Sequence, residues 1–150
     1  MPILILLLLI PFCELRSQTA EDSVRQVIAD FFLSMKRADT AGMRATLSPF
    51  AQLQATQATP DAEPTVMQQS IPNFMASVAR TPPGALDERI AFETVNIDGP
   101  LASVWTPYQF YYNGRFSHCG ANSFQLVRLQ GKWLIQYIID TRRKNCPSSQ

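Results

Sequence analysis

Histidine is almost missing from this chain: His118 is the only one in 150 residues. One imidazole cannot complete a zinc site, and no pair of cysteines has the Cys-x-x-Cys spacing that would supply the remaining ligands. Charge is also sparse. Acidic and basic side chains make up 17% of the sequence and leave a net charge of +1. The one basic run is Arg142-Arg143-Lys144, near the chain end. The clustered basic face that phosphate neutralisation requires is therefore lacking, and nucleic acid is not an expected partner. A glycine-rich phosphate loop, a dinucleotide fingerprint and a Ser/His/Asp series are all absent. No metal and no cofactor is expected.

Long apolar runs are confined to the start. The stretch from Ile3 to Ile10 is unbroken but far shorter than the ~20 residues a helix needs to cross a bilayer, so it reads as the apolar region of a signal peptide. Leu15-Arg16-Ser17 offers a cleavage site, which divides the chain into a signal over 1–17 and one domain over 18–150. Ile10-Pro11-Phe12-Cys13 resembles a lipoprotein attachment site only faintly, because the bulky Phe12 precedes the cysteine; simple export ranks ahead of anchoring at Cys13. The expected location is periplasmic or extracellular. Export removes one of the three cysteines and leaves Cys119 and Cys146. Two cysteines in an exported chain are read first as a disulfide, whereas two free thiols would fit a cytosolic protein.

What is present is enough for a core, since 46% of the residues are hydrophobic. Thr19-Ala20-Glu21-Asp22 opens a helix with a hydroxyl first and a carboxylate three residues later. Val24, Val27, Ile28, Phe31, Phe32 and Met35 follow as one continuous apolar stripe. Asp39 caps a second short helix that Pro49 ends, 50–56 reads as a first strand and 58–65 as a loop. Residues 66–80 read as a third helix, with Pro72 as either a kink or its true start. Beyond Leu86 the apolar period becomes two. Four strands are expected over 90–97, 101–112, 115–130 and 132–142, joined at Asp98-Gly99, Asn113-Gly114 and Gln130-Gly131. Helices followed by an antiparallel meander imply an α+β fold with the helices on one face of a curved sheet.

Two-residue turns fix the register, and the register sorts the faces. Counting back from the two turns puts Trp105, Gln109, Tyr111, His118, Asn122, Phe124, Leu126, Trp133, Ile135, Tyr137, Ile139 and Thr141 on the inner face. Tyr108, Phe110, Tyr112, Cys119 and Asp140 fall on the outer one. Cys146, extrapolated past the last strand, lands near Cys119. The outer aromatics Tyr108, Phe110 and Tyr112 form a patch that a second subunit would cover, so a homodimer is expected. A single-residue bulge would swap every assignment beyond it.

Ala102-x-Val104, Tyr108-x-Phe110, Asn113-Gly114-Arg115-Phe116-x-His118-Cys119-Gly120, Phe124-x-Leu126, Gly131-Lys132-Trp133-x-Ile135 and Asp140-Thr141-Arg142 together resemble the nuclear transport factor 2-like superfamily. Within it they are similar to small exported bacterial proteins of the SnoaL-like and putative lumazine-binding-like type. The resemblance implies a cone, in which a strongly bent antiparallel sheet wraps the N-terminal helices and leaves a pocket at its open end. It also implies dimerisation through the outer sheet face. The superfamily holds isomerases, cyclases and dehydratases beside non-catalytic binding and assembly modules, so the fold selects no single activity.

Trp105, Gln109, Tyr111, Asn122, Phe124 and Tyr137 are the expected pocket lining, suited to a small apolar or aromatic molecule. His118 is the candidate acid/base, set against the plainer reading of a ring that ties a bent strand together. With no inward carboxylate found, the expected function is an exported small-molecule-binding or accessory domain without catalysis. The alternative is an isomerase, dehydratase or hydrolase working through His118.

Overall fold

The computed structural model describes residues 19–59 and 62–146. The expected signal peptide and Cys13 lie outside the described residues. Helix α1 (Ala20–Lys36) begins as its capping box predicts: the Asp22 amide donates to Thr19 Oγ1 at 3.0 Å and the Thr19 amide to Asp22 Oδ2 at 3.2 Å. Its stripe of Val24, Ile28, Phe31, Phe32 and Met35 is buried and forms the centre of the core with Phe124, Leu126, Trp133 and Ile135. The Asp39-capped helix α2 (Thr40–Thr46) packs beside it.

The described residues hold seven strands: β1 (Leu47–Thr59), β2 (Ala62–Gln69), β3 (Leu86–Ile90), β4 (Thr94–Asp98), β5 (Leu101–Tyr112), β6 (Arg115–Leu129) and β7 (Lys132–Thr141). Their order in the sheet is β2-β1-β7-β6-β5-β3, with β4 sharing the β5 edge with β3. The sheet is strongly curved and does not close, and the helices lie in its concavity. Helix α3 (Ile71–Ala79) packs against α2 and β1.

Two expectations are corrected here. Residues 66–69 belong to β2, and Pro72 marks the true start of α3, whose first turn Ser70 caps. Strand β1 runs to Thr59 and β2 starts at Ala62, so most of the expected loop is strand. The run Thr65-Val66-Met67-Gln68-Gln69 carries too little periodicity to separate strand from helix.

The larger correction concerns faces, and two bulges cause it. Near the Gln130-Gly131 turn the register is the expected one, Arg128 opposite Trp133 and Leu126 opposite Ile135. Beyond it Gln125 faces Tyr137 and Phe124 faces Ile138, so Gln136 stands without a partner on β6. Its amide is held by β1 instead, accepting from Ser48 Oγ at 2.7 Å and donating to the Phe50 carbonyl at 3.0 Å. The second bulge is at Ser117, because Tyr111 faces Phe116 while Phe110 faces His118. Each extra residue inverts the alternation that follows. Ile138, Asp140 and Arg142 therefore turn inward, as do Thr106, Tyr108 and Phe110.

Trp105, Gln109, Tyr111 and Tyr137 are accordingly displaced to the convex side. Trp105 is 41% exposed, Arg89 lies over the Tyr111 ring at 4.0 Å, and the Tyr137 hydroxyl donates to Gln54. Tyr108 is only 4% exposed and Phe110 lines the cavity, so the expected dimer patch of Tyr108, Phe110 and Tyr112 does not exist as an outer surface. Tyr112 alone is exposed, at the hairpin tip.

Cys119 keeps its expected outer position and is bonded to Cys146, with Cα atoms 6.1 Å apart. The link closes a separation of 27 residues, worth about 3.5 kcal/mol in the chain-entropy picture. Replacing both cysteines by serine should lower stability by roughly that amount. Urea denaturation of the oxidised parent and the double variant measures it, and equal midpoints would remove the disulfide from any stabilising role.

Candidate functional site

The open end of the cone holds a cavity of about 200 Å³. Its apolar wall comes from the helices: Phe31, Phe32 and Met35 from α1, Phe74 and Val78 from α3. Phe31 and Phe74 stack with centroids 6.5 Å apart. The sheet supplies the opposite wall, and there polar groups collect: Glu88 from β3, His118 and Asn122 from β6, Asp140 from β7 and Arg142 just past its end. Phe110 lies among them, its ring 4.9 Å from the imidazole.

Pairing explains the grouping. Glu88 faces Phe110 across β3 and β5, and Phe110 faces His118 across β5 and β6. Asn122 faces Thr106 on one side and Asp140 on the other. Asn122 Nδ2 donates to Glu88 Oε1 at 2.8 Å and lies 3.5 Å from Thr106 Oγ1, so a buried amide fixes the carboxyl. No described residue bonds the other Glu88 oxygen.

Burial pushes the Glu88 pKa up to about 7; the Asn122 hydrogen bond opposes the shift and the Asp140 charge adds to it. Asp140 is raised by the same loss of solvent, against the pull of Arg142, whose Nε donates to Asp140 Oδ2 at 2.9 Å. Asp140 Oδ1 is buried with no hydrogen-bond partner, an arrangement that costs about 1–3 kcal/mol. The Tyr108 hydroxyl sits 3.5 Å from Asp140 Oδ2 but donates at 2.9 Å to the Thr141 carbonyl, and burial pushes its pKa up. His118 is pushed down, first by burial and then by the Arg142 charge, so the site favours the neutral ring.

Of the sequence-predicted residues, His118 and Asn122 line the cavity. Phe124 is inward but fully buried in the core beneath it, edge-on to Phe32 at 6.0 Å. Trp105, Gln109, Tyr111 and Tyr137 are not among the lining residues. The two inward carboxylates are what the sequence reading missed. Glu88 falls in a strand that starts at Leu86, four residues ahead of the expected one, and Asp140 follows the Gln136 bulge. The doublet Ile138-Ile139 was the available signal, since it breaks strict alternation in a strand whose inner face is apolar. Among the described residues no group of three or more His, Cys, Asp or Glu side chains can hold a metal ion. Nor is any described helix long and apolar enough to cross a membrane.

No family model matches the sequence, and no curated protein does. Solved structures do match. An NTF2-like protein of unknown function from Shewanella baltica superposes with a TM-score of 0.65 at 16% identity, covering 83% of this chain and 94% of that one. A domain of unknown function with a cystatin-like fold from Nostoc punctiforme also gives 0.65, at 15% identity over 83% and 78% of the two chains. A ketosteroid isomerase-like protein from Erwinia carotovora atroseptica gives 0.60 at 15% identity over 82% and 95%. The chain has the nuclear transport factor 2-like fold. At these identities the likeness is one of fold, so any function for this nuclear transport factor 2-like domain must come from its own cavity.

The raised carboxyl has a measurable consequence. A carboxyl whose pKa rises on folding, from 4.5 to about 7 for Glu88, binds its proton more tightly in the folded chain. Its contribution to stability is therefore greatest below about pH 4.5, is lost as pH rises to about 7, and is constant above that. Glu88→Gln has no such proton to lose. Relative to the parent it should gain stability between pH 5 and pH 8, read as the difference in urea midpoint. A pH-independent difference would show that Glu88 titrates normally.

Proposed function

We propose that this is an exported domain that binds a small, ring-sized molecule in the open end of its cone. The observation that carries the reading is the division of one cavity into an aromatic wall on the helices and a polar strip on the sheet, the usual composition of a ligand site. The free groups of the polar strip are few. Tyr108, Asn122 and Arg142 already donate to the Thr141 carbonyl, Glu88 and Asp140, which leaves His118 and the proton of Glu88 as the uncommitted donors of the strip. Export fits the disulfide and the apolar leader. A homodimer through the convex face is retained, with Trp105 and Phe116 as its exposed aromatics in place of Tyr108 and Phe110.

A second reading, proton-transfer catalysis of the isomerase or dehydratase kind, is favoured by one observation. Glu88 has a pKa near 7, where a general base works best at neutral pH. In this reading Glu88, whose Oε2 accepts no bond from a described residue, takes the acid/base role in place of His118, whose Nδ1 lies 3.1 Å from Ser117 Oγ.

Ser77 tests the site with little risk to the fold, because it is exposed on α3 yet lines the cavity. Ser77→Trp should fill the entrance and reduce the affinity of any ring-sized binder found by NMR fragment screening at least tenfold. Trp105→Glu on the convex face should leave it unchanged while shifting sedimentation toward monomer. Binders indifferent to Ser77→Trp would place the ligand site elsewhere.

A further inference from the structure

We infer that the cavity takes a small aromatic molecule carrying a protonated amine, its ammonium against Glu88 and Asp140 and its ring between Phe31, Phe74 and Phe110. This rests on the reading of the cavity as a ligand site and names the chemistry of what enters it.

Three observations point to a cation. The first is the orphaned acceptors: Asp140 Oδ1 is buried without a partner, and Glu88 Oε2 receives no bond from a described residue. A buried acceptor left open calls for a donor, and a ligand that brought only acceptors would leave both oxygens without one. The second is the charge balance of the strip. Glu88 is faced by His118 and Asn122 from β6, by Asp140 from β7, by Arg142 just past its end and by Tyr108 from β5, while the helices present only Phe31, Phe32, Met35, Phe74, Ser77 and Val78. With both carboxyls ionised, two negative charges meet one guanidinium and a neutral imidazole. Lys36, at the end of α1, is engaged by Asp87 at 2.9 Å. A monocation restores neutrality, and an anion worsens the imbalance.

The third observation is the walls. Electron-rich ring faces attract an ammonium group within about 6 Å, and aromatic side chains make up much of this lining. Size limits the rest of the molecule. At about 200 Å³ the space is below the ~300 Å³ at the lower end for drug-sized ligands, which leaves room for one ring and a short arm.

In the free protein a proton on Glu88 plays the neutralising part, so the amine must displace it. Binding is therefore linked to pH with a definite sign. Below about pH 7 the amine competes with the proton and its apparent affinity falls about tenfold per pH unit; above it the affinity levels off.

Benzylamine, benzyl alcohol and benzoate share a ring and differ in charge, and titrations followed by NMR shifts at pH 8 and pH 6 separate the possibilities. Benzylamine, protonated at both values, should bind at least tenfold tighter than benzyl alcohol at pH 8 and weaken about tenfold at pH 6. Benzoate should bind weakest, and Glu88→Gln should abolish both the preference for the amine and its pH dependence. Equal or tighter binding of the alcohol or of benzoate, lost in Ser77→Trp, overturns the inference and leaves the ligand site standing. Absence of any probe binding sensitive to Ser77→Trp overturns both.

Discussion

Gln136 is the residue on which the cavity depends. An unpaired position inside a β-ladder ordinarily weakens it, and here the loss is offset by two hydrogen bonds of the Gln136 amide, which accepts from the Ser48 hydroxyl and donates to the Phe50 carbonyl. Those bonds come from β1, which lies parallel to β7 and spends the stretch from Ser48 to Ala51 against this single residue. The sheet bends where the mismatch is absorbed. Before the bulge, Trp133 and Ile135 feed the core; after it, Ile138, Asp140 and Arg142 face the cavity. The same strand thus builds an apolar base and a polar mouth, and one extra residue separates the two.

That placement decides the electrostatics. Had β7 run without interruption, Asp140 would have reached solvent on the convex face, and Glu88 would have met no second carboxylate. Instead two carboxyls share a site shielded by aromatic rings, and desolvation heads the causes of both raised pKa values. Arg142 offsets part of the cost through Asp140 and cannot serve Glu88 equally. The strip is left with one acid that holds its proton near neutrality and one acceptor with no partner.

The legible parts of the chain were those in which one residue type and one spacing decide the outcome. Thr19 and Asp22 at capping distance, the α1 stripe, the Asn113-Gly114 and Gln130-Gly131 turns and the pairing of Cys119 with Cys146 all came through, because each is settled within a few residues or by the small number of cysteines. The site was half legible. His118 and Asn122 lie between the two bulges on the strand common to both hairpins, where the inner-face assignment held. Asp140 and Phe110 lie beyond a bulge from their turns; the face of Phe110 is set by the extra residue at Ser117, and that of Asp140 by a bulge held from β1, more than eighty residues away in sequence. Alternation within a hairpin carries no record of such a partner. Strand β2 was lost for a related reason: it is an edge strand whose exposed Val66 and Met67 break any burial pattern.

The triplet His118-Cys119-Gly120 shows how closely the scaffold and the cavity are joined. Alternation gives each residue a different duty. His118 points to the cavity, and Cys119 to the convex side, where its link to Cys146 lies beside a two-way backbone pairing with Arg143 at 2.9 Å each way. Gly120 points inward again, at a place where no side chain fits: a Cβ there would stand 1.8 Å from the Thr141 carbonyl oxygen and 2.7 Å from Tyr108 Cε1. The space it leaves is what lets the Tyr108 hydroxyl reach Thr141. The chain on either side of Arg142 is thereby fixed, by Tyr108 bonding the Thr141 carbonyl and by Cys119 pairing with Arg143. A side chain that supplies the only cation in a shielded acidic strip must not wander, and the disulfide and the glycine hold its backbone in place from opposite faces of the sheet.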